Sequence, residues 1–279
     1  MKARLMLASL FTLGVLLGFV GTIFLLLLYF GGVLNPVALV ALTVLFNAIA
    51  WLVSPLIQDL VLRWFYSCEA VEWAEFQRRW PKLSATIQQV CARHNIAVPK
   101  MRLIDDGNPT AYCFGSASWN ARLVATRGLF HYLSEDEVAA VYCHELGHIA
   151  NRDFILMTVA ATLLTVLYEV YVVFTDRRAQ GRGGELRSRL VLIGYLSYVM
   201  YIVGTYLVLY LSRTREYLAD RFSAEATGNP NWLAMGLVKV AYGIAAAPDS
   251  EKSKRLLAST RALGLYDYKS ADATGSAYA

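Results

Sequence analysis

Charged side chains are scarce in this sequence. Asp, Glu, Lys and Arg make up 17% of its 279 residues, against about one quarter in soluble domains. Hydrophobic residues make up 57%, and the mean hydropathy is +0.42. This composition argues against a purely soluble protein and favours one with membrane-spanning segments.

A disulfide framework is also absent. The chain has four cysteines, and no two of them stand in C-x-x-C spacing. This excludes a disulfide-rich secreted scaffold and suits a reducing, cytosolic compartment. The four are Cys68, Cys91, Cys113 and Cys143.

A basic stripe interleaved with aromatic residues is missing as well. The net charge is +5, but basic residues gather near the ends of apolar stretches, as at Lys2, Arg4 and Arg63. Membrane topology accounts for that placement, whereas nucleic-acid binding needs a clustered basic face. We therefore expect no nucleic-acid partner.

Long apolar stretches are what the sequence has in quantity. Four of them are 21 to 26 residues long, and a helix needs about 20 residues to cross the hydrocarbon core of a bilayer. Three contain no charge, and the third in chain order contains only Glu169. We predict four transmembrane helices in two hairpins, at 5–30, 37–57, 154–175 and 190–211.

The first stretch raises the alternative of a signal peptide, because it follows Lys2 and Arg4. It is far longer than the roughly 7–15 residues of a signal h-region, and no A-x-A cleavage pattern follows it. A retained anchor is the better interpretation. The predicted order is a membrane hairpin (1–57), a soluble segment (58–153), a second hairpin (154–211) and a second soluble segment with a flexible tail (212–279).

The first soluble segment mixes helix and strand signals. Residues 66–95 are expected to be helical, with an interruption or restart at Pro81. Two short apolar runs, 100–104 and 121–126, predict strands, and a third strand could lie within 110–119. The fold class is therefore α+β, mainly helical with a small sheet.

A helix carrying the pattern H-E-x-x-H follows these strands. Ser134 and Glu137 form a capping box that starts it. His144 and His148 are four residues apart, so their rings share one helical face and can reach one metal ion. Glu145 projects beside them and can take a proton from metal-bound water. A surface helix with two solvated histidines is the alternative.

A catalytic zinc ion takes three protein ligands and keeps one position open. Glu216 is the candidate for the third ligand, and Asp220, on the same helical face, could hydrogen-bond a ligand histidine. Balancing the neighbouring arginines is the alternative for both acids. His148 precedes the third apolar stretch by six residues and Glu216 follows the fourth by five, about 9 and 7.5 Å if helical. Because a hairpin brings its ends to about 8–10 Å, we predict one zinc site near the membrane surface.

Three further residues leave alternatives. Asp153, just after the metal helix, either supports a ligand histidine or pairs with Arg152. The remaining histidines, His94 and His131, are expected to be structural or solvated, because the zinc ion already has three candidate ligands.

Together these motifs resemble the HtpX-type membrane zinc metalloproteases, which are relatives of the CAAX prenyl proteases. The resemblance covers most of residues 60–245. It rests on Asn108-Pro109-Thr110-Ala111-Tyr112-Cys113-Phe114-Gly115, similar to the family's N-P-x-A-x-x-x-G strand, on the capped H-E-x-x-H helix, on Asn151-Arg152-Asp153, and on the E-x-x-x-D pair Glu216 and Asp220. Tyr112 and Cys113 replace the Phe-Ala pair expected in that strand.

The resemblance implies a glutamate-type zincin (gluzincin) fold and endopeptidase activity with one Zn²⁺ per chain. Protein substrates, chiefly membrane proteins, and a role in membrane-protein quality control and stress response are implied too. So is a multi-pass protein of the cell (inner or plasma) membrane whose active site faces the cytoplasm. The strand with Asn108, Ala111 and Gly115 would line the cleft and pair with an extended substrate.

Two alternatives to an endopeptidase stay open. A membrane scaffold or transport protein with a structural zinc ion is disfavoured, because Glu145 would have no purpose in it. Prenyl-protein processing would need a larger cavity than four spans suggest.

The loop between the third and fourth spans, 176–189, holds five arginines and two acids. If residues 58–153 are cytoplasmic, this loop should lie outside, which goes against the positive-inside tendency. Either the loop is translocated despite its charge, or the second hairpin does not fully cross the membrane.

Overall fold

A computed structural model describes residues 35–66, 68–175 and 185–246. The first predicted span, much of the arginine-rich loop and the predicted flexible tail lie outside the described residues. The described elements are α1 (Pro36–Phe65), β1 (Cys68–Val71), α2 (Trp73–Arg79), α3 (Pro81–His94), β2 (Lys100–Ile104), β3 (Ala111–Phe114), β4 (Arg122–Thr126), α4 (Arg127–Tyr132), α5 (Glu135–Ala150), α6 (Asp153–Thr175), α7 (Glu185–Thr227) and α8 (Pro230–Ala246).

The four described strands form one small mixed sheet in the order β1-β2-β4-β3. β2 and β4 run parallel, with Lys100 opposite Arg122. β1 pairs antiparallel with β2, and β3 pairs antiparallel with β4. The strands predicted at 100–104 and 121–126 are confirmed, and β3 confirms a third strand within 110–119.

The prediction of a helix from residue 66 was wrong for its first part. Residues 68–71 form a strand, in which Cys68 lies opposite Ile104 and Val71 opposite Met101. The strand exists because β2, thirty or more residues further along the chain, supplies its hydrogen bonds. No local sequence pattern predicts that pairing. The restart at Pro81 is confirmed, since α3 begins there with proline in its first turn.

α5 is the buried centre of the sheet-containing part. It begins as predicted: the Glu137 N–H donates to the Ser134 hydroxyl at 3.4 Å, and the Ser134 N–H donates to the Glu137 carboxylate at 2.8 Å. Helices α3 and α8 and strand β3 pack against α5. Its apolar residues Leu146 and Ile149 are fully buried in the same cluster as Ile87, Leu123 and Leu129.

Three of the described helices are long and apolar enough to cross a membrane. They run over Pro36–Trp64, Asp153–Thr175 and Leu190–Thr227, and their most apolar 18-residue stretches have mean hydropathies of 2.3, 1.9 and 1.8. They contain the second, third and fourth predicted spans, and the first and last of the three helices extend well beyond them. Glu169 is the one charged residue within the predicted spans 37–57, 154–175 and 190–211. It is fully buried and accepts a 2.6 Å hydrogen bond from the Thr43 hydroxyl.

The described chain divides into two compact units. One contains the sheet, α5 and the chain from Tyr217 onward, and it holds the main hydrophobic cluster. The other contains the described residues of 35–53 and of 155–216. In the second unit α6 and α7 approach closely at Gly204, where an added Cβ would lie 2.6 Å from Leu164.

Candidate metal centre

The two histidines of the H-E-x-x-H helix face each other at short range. Their Nε2 atoms are 3.3 Å apart, and the rings are nearly perpendicular with centroids 4.9 Å apart. His144 and His148 are both buried, as is Glu145 between them. α5 produces this arrangement because residues four apart lie one above the other on a helix.

The other ring nitrogen of each histidine contacts a carboxylate. His148 Nδ1 lies 2.6 Å from Oδ2 of Asp153. His144 Nδ1 lies 3.0 Å from Oδ1 of Asp220, although the two groups are less well aligned for a hydrogen bond. An Nδ1–H directed at a carboxylate leaves the Nε2 lone pair available to a metal ion.

Glu216 joins these two histidines. One ligand atom from each of His144, His148 and Glu216 lies within 4.8 Å of the other two. Glu216 and Asp220 are one turn apart on α7, so a single helix supplies both the third candidate ligand and the carboxylate beside His144. The three residues predicted as metal ligands are therefore brought together.

The donor set fits a zinc ion. Two Zn–N bonds of about 2.0–2.1 Å at a tetrahedral angle place their nitrogens about 3.3 Å apart, which matches the distance between the two Nε2 atoms. Two imidazoles and one carboxylate are a typical set for a catalytic zinc ion with one position left open. Each histidine also has a carboxylate near its Nδ1, at 2.6 Å for His148 and 3.0 Å for His144, and such carboxylates commonly orient ligand histidines at metal sites.

The strand next to this helix contacts it through Cys113. The Cys113 thiol on β3 donates to the backbone carbonyl of Glu145 at 3.4 Å. Ala111 opens the same strand opposite Ala125. Gly115 follows the strand at a tight spot, where an added Cβ would lie 3.0 Å from the Ala121 Cα. Two of the residues predicted for the substrate strand thus lie on or beside β3, along the metal helix.

Asn108 has a different place. It lies in the turn before β3, where its N–H donates to the Asp106 carboxylate at 2.8 Å and its carbonyl accepts from the Thr126 hydroxyl. These contacts fix the shape of the turn. The other two histidines contact aromatic rings. The ring centroids of His94 and Phe222 are 4.5 Å apart, and those of His131 and Tyr132 are 5.1 Å apart.

Buried charge and thiol groups support α5. Burial alone would raise the pKa of Glu137, but hydrogen bonds from Lys239 and Ser134 outweigh it and hold that pKa below its ordinary value. Burial raises the pKa of Cys143 to about 12, so this thiol beside His144 stays protonated. Cys143 is a packing residue, as expected of a fully buried cysteine with a raised pKa.

Gly147 is a site residue that the sequence analysis did not single out. A Cβ at this position would lie 3.0 Å from the Ala219 Cα and 3.1 Å from the Phe222 Cβ. The glycine therefore favours this close approach of α7 to the H-E-x-x-H helix, which any larger side chain would strain. The signal was present in the sequence as a glycine in the middle of a helix, where it costs about 1 kcal/mol relative to alanine.

Comparisons with known proteins identify similar sequences. Residues 77–267 match the sequence profile of peptidase family M48. The chain is 32% identical over 235 residues to a protein named Protease HtpX homolog from Methanothermobacter thermautotrophicus, covering 84% of this chain and 79% of that protein. It is 31% identical over 208 residues to a Protease HtpX homolog from Moorella thermoacetica, covering 74% and 68%.

A solved structure is also similar. The crystal structure of Ste24p from S. mikatae aligns with a TM-score of 0.45 and 18% identity, covering 74% of this chain and 49% of that one.

Proposed function

The chain belongs to peptidase family M48, and from that premise we propose that it is a membrane-embedded, zinc-dependent endopeptidase of the gluzincin type. The observation that carries the proposal is the convergence of His144, His148 and Glu216 within 4.8 Å, on helices α5 and α7. Glu145, the neighbour of His144 on α5, supplies the base that a hydrolase needs and a structural metal site does not.

The three ligands would hold one Zn²⁺ per chain. When bound, the zinc ion acidifies a water molecule and polarises the substrate carbonyl. Glu145 takes the proton of the attacking water and returns it to the leaving amine, as a general base and then a general acid. Asp220 keeps the His144 ring oriented with Nε2 toward the other ligands, since its carboxylate lies 3.0 Å from Nδ1.

We assign substrate binding to β3. This strand stands at one end of the sheet order and contacts the backbone of Glu145 through Cys113. An extended peptide could add to such a strand by main-chain hydrogen bonds along Ala111 to Phe114. Gly115, just after the strand, would act through the close packing of its backbone against Ala121. Asn108 would act indirectly, by fixing the turn that leads into the strand.

The setting we propose follows from the apolar helices. The protease part comprises 58–153 and 212–279, separated by a membrane hairpin at 154–211, and a first hairpin at 1–57 anchors it. The substrates would be membrane proteins or misfolded segments close to the bilayer. The active site would face the cytoplasm from the cell membrane, in quality control of membrane proteins, a setting that four cysteines without disulfide spacing suit.

Cleavage of an unstructured protein tests the proposal. Detergent-purified protein is stripped with a chelator, reloaded with zinc and mixed with casein. We expect zinc-dependent cleavage that Glu145→Gln lowers by about 10²–10⁴-fold, the usual contribution of a general base, with zinc stoichiometry unchanged. Glu135→Gln is the matched control, because this side chain is on the same helix but 71% exposed.

Two results would count against the endopeptidase. Equal cleavage by the parent and by Glu145→Gln would remove Glu145 from the mechanism. Stoichiometric zinc without cleavage by either protein would favour the membrane scaffold with a structural zinc ion.

A further inference from the structure

The connection between the metal helix and the next apolar helix is only two residues long. α5 ends at Ala150 and α6 begins at Asp153, so Asn151 and Arg152 are the whole link. Arg152 has a φ of 58° and is exposed. This left-handed backbone is seldom adopted by residues with a bulky side chain, so the surrounding structure must hold it in place.

The turn at Arg152 changes what Asp153 can reach. On an uninterrupted helix, residues five apart point about 140° away from each other around the axis. Asp153 would then face away from His148. In the structure its carboxylate instead lies 2.6 Å from His148 Nδ1. The left-handed residue thus redirects the chain so that the first residue of α6 meets the metal helix.

The contact between the two side chains is buried. Asp153 is 1% exposed, and the His148 side chain is 11% exposed. A buried carboxylate is costly unless it is paired, and a charge-assisted bond to an imidazole N–H is among the stronger hydrogen bonds. Asp153 therefore has a role that does not depend on the exposed side chain of Arg152.

We propose that Asp153 is a positioning residue for the metal centre, and that the left-handed turn at Arg152 is the device that places it. The carboxylate of Asp153 holds the His148 ring with Nδ1 protonated and Nε2 free toward His144 and Glu216. This inference rests on the proposed metal site. It adds that the first residue of an apolar helix sets how firmly that site retains zinc.

Zinc release measures this role without relying on peptidase activity. Zinc-loaded full-length protein in detergent is mixed with a chromophoric chelator, and the dissociation rate is followed. We expect Asp153→Ala to release zinc about 10–100-fold faster than the parent, the usual effect of removing a carboxylate behind a ligand histidine. Asp153→Asn, which keeps an acceptor without the charge, should fall between them. Thermal unfolding of the metal-free proteins shows whether each variant folds.

A matched pair at Arg152 separates the backbone from the charge. Arg152→Gly and Arg152→Val both remove the guanidinium, but glycine adopts a positive φ freely and a β-branched residue does not. Arg152→Gly should release zinc at the parent rate, and Arg152→Val should release it faster, toward Asp153→Ala. Equal rates for the two variants would overturn the role of the turn.

The outcomes distinguish this inference from the proposed function. If the parent binds zinc and Asp153→Ala retains it equally well, Asp153 does not position His148 and only this inference is overturned. If the parent binds no zinc, the proposed metal site itself is wrong and the inference is overturned with it.

Discussion

Gly147 shows how closely single residues are constrained around the metal centre. The Cβ that Gly147→Ala adds would lie 3.0 Å from the Ala219 Cα, a backbone atom, so the two helices themselves would have to move apart by a few tenths of an ångström. We expect this substitution to lower the free energy of unfolding by about 1–3 kcal/mol, the usual cost of overpacking, despite the better helix propensity of alanine. It should also weaken zinc retention, because it pushes apart the helices that carry the ligands.

Gly236 is the matched control for that substitution. It is also buried inside a helix, but a Cβ there would find Leu133, Glu137 and Val141 at 3.4–3.6 Å, which is ordinary contact. Gly236→Ala should therefore raise stability by about 0.5–1 kcal/mol. Denaturant unfolding of both variants in one detergent makes the comparison. Stabilisation by Gly147→Ala would show that α7 is not tightly packed at this point.

The sequence specifies the metal-site residues better than it specifies their supports. His144, His148 and Glu145 lie within one helical turn, so local periodicity suffices to place them. Glu216 needed the hairpin argument, and the structure brings it to the histidines. Asp153 stayed ambiguous, because its contact with His148 depends on the left-handed backbone of Arg152. An arginine gives no sequence signal for that conformation.

At the scale of secondary-structure elements, a partly buried cluster of charged side chains links the sheet to α1. Asp59, on α1, accepts hydrogen bonds from Arg102 Nε on β2 at 3.1 Å and from Arg122 Nε on β4 at 2.9 Å. The two arginine side chains are only 12% and 4% exposed. Arg122 also lies 6.0 Å from the ring of Phe114 on β3. One carboxylate thus balances a buried cation, Arg122, and a partly buried one, Arg102, near the end of β3.

Removing that carboxylate should be costly. We expect Asp59→Ala to lower the free energy of unfolding by about 3–5 kcal/mol, because it leaves the buried Arg122 and the partly buried Arg102 without their counterion. Glu225→Ala is the control, since Glu225 pairs with Arg221 in an exposed bridge worth less than about 1 kcal/mol. Denaturant unfolding measures both. Similar small losses would mean that the arginines reach water when Asp59 is absent.

Elements with a strong local signal were predictable, and β1 was not. The capping box and the apolar face of α5 predict a helix, and Pro81 predicts the start of α3. The four residues of β1, Cys-Glu-Ala-Val, have no alternation strong enough to outweigh the helical pattern after them. Their conformation is decided by the antiparallel partner β2, a contact that only the folded chain provides.

For the molecule as a whole, the number of crossings decides which side of the membrane each part occupies. α6 has 23 residues, about 35 Å at 1.5 Å per residue, and this exceeds the roughly 30 Å hydrocarbon core. Apart from Asp153 at its start, α6 has one acid, Glu169, which is buried against Thr43 and does not face lipid; this lowers the cost of inserting the helix. The five arginines of the loop 176–189 argue against crossing, because positively charged loops tend to stay on the cytoplasmic side of the membrane.

We expect the helix length to prevail and the second hairpin to cross completely. Single cysteines introduced by Gly181→Cys, in the loop, and Trp119→Cys, at a 65% exposed position of the sheet-containing part, can be labelled with a membrane-impermeant maleimide in sealed vesicles. The parent measures the background from its own cysteines, three of which are buried. Labelling from opposite sides is the expected result, because crossing by both α6 and α7 leaves the loop opposite the metal ligands. Labelling from the same side would mean that these apolar helices enter the bilayer without spanning it, and the four-span arrangement would have to be abandoned.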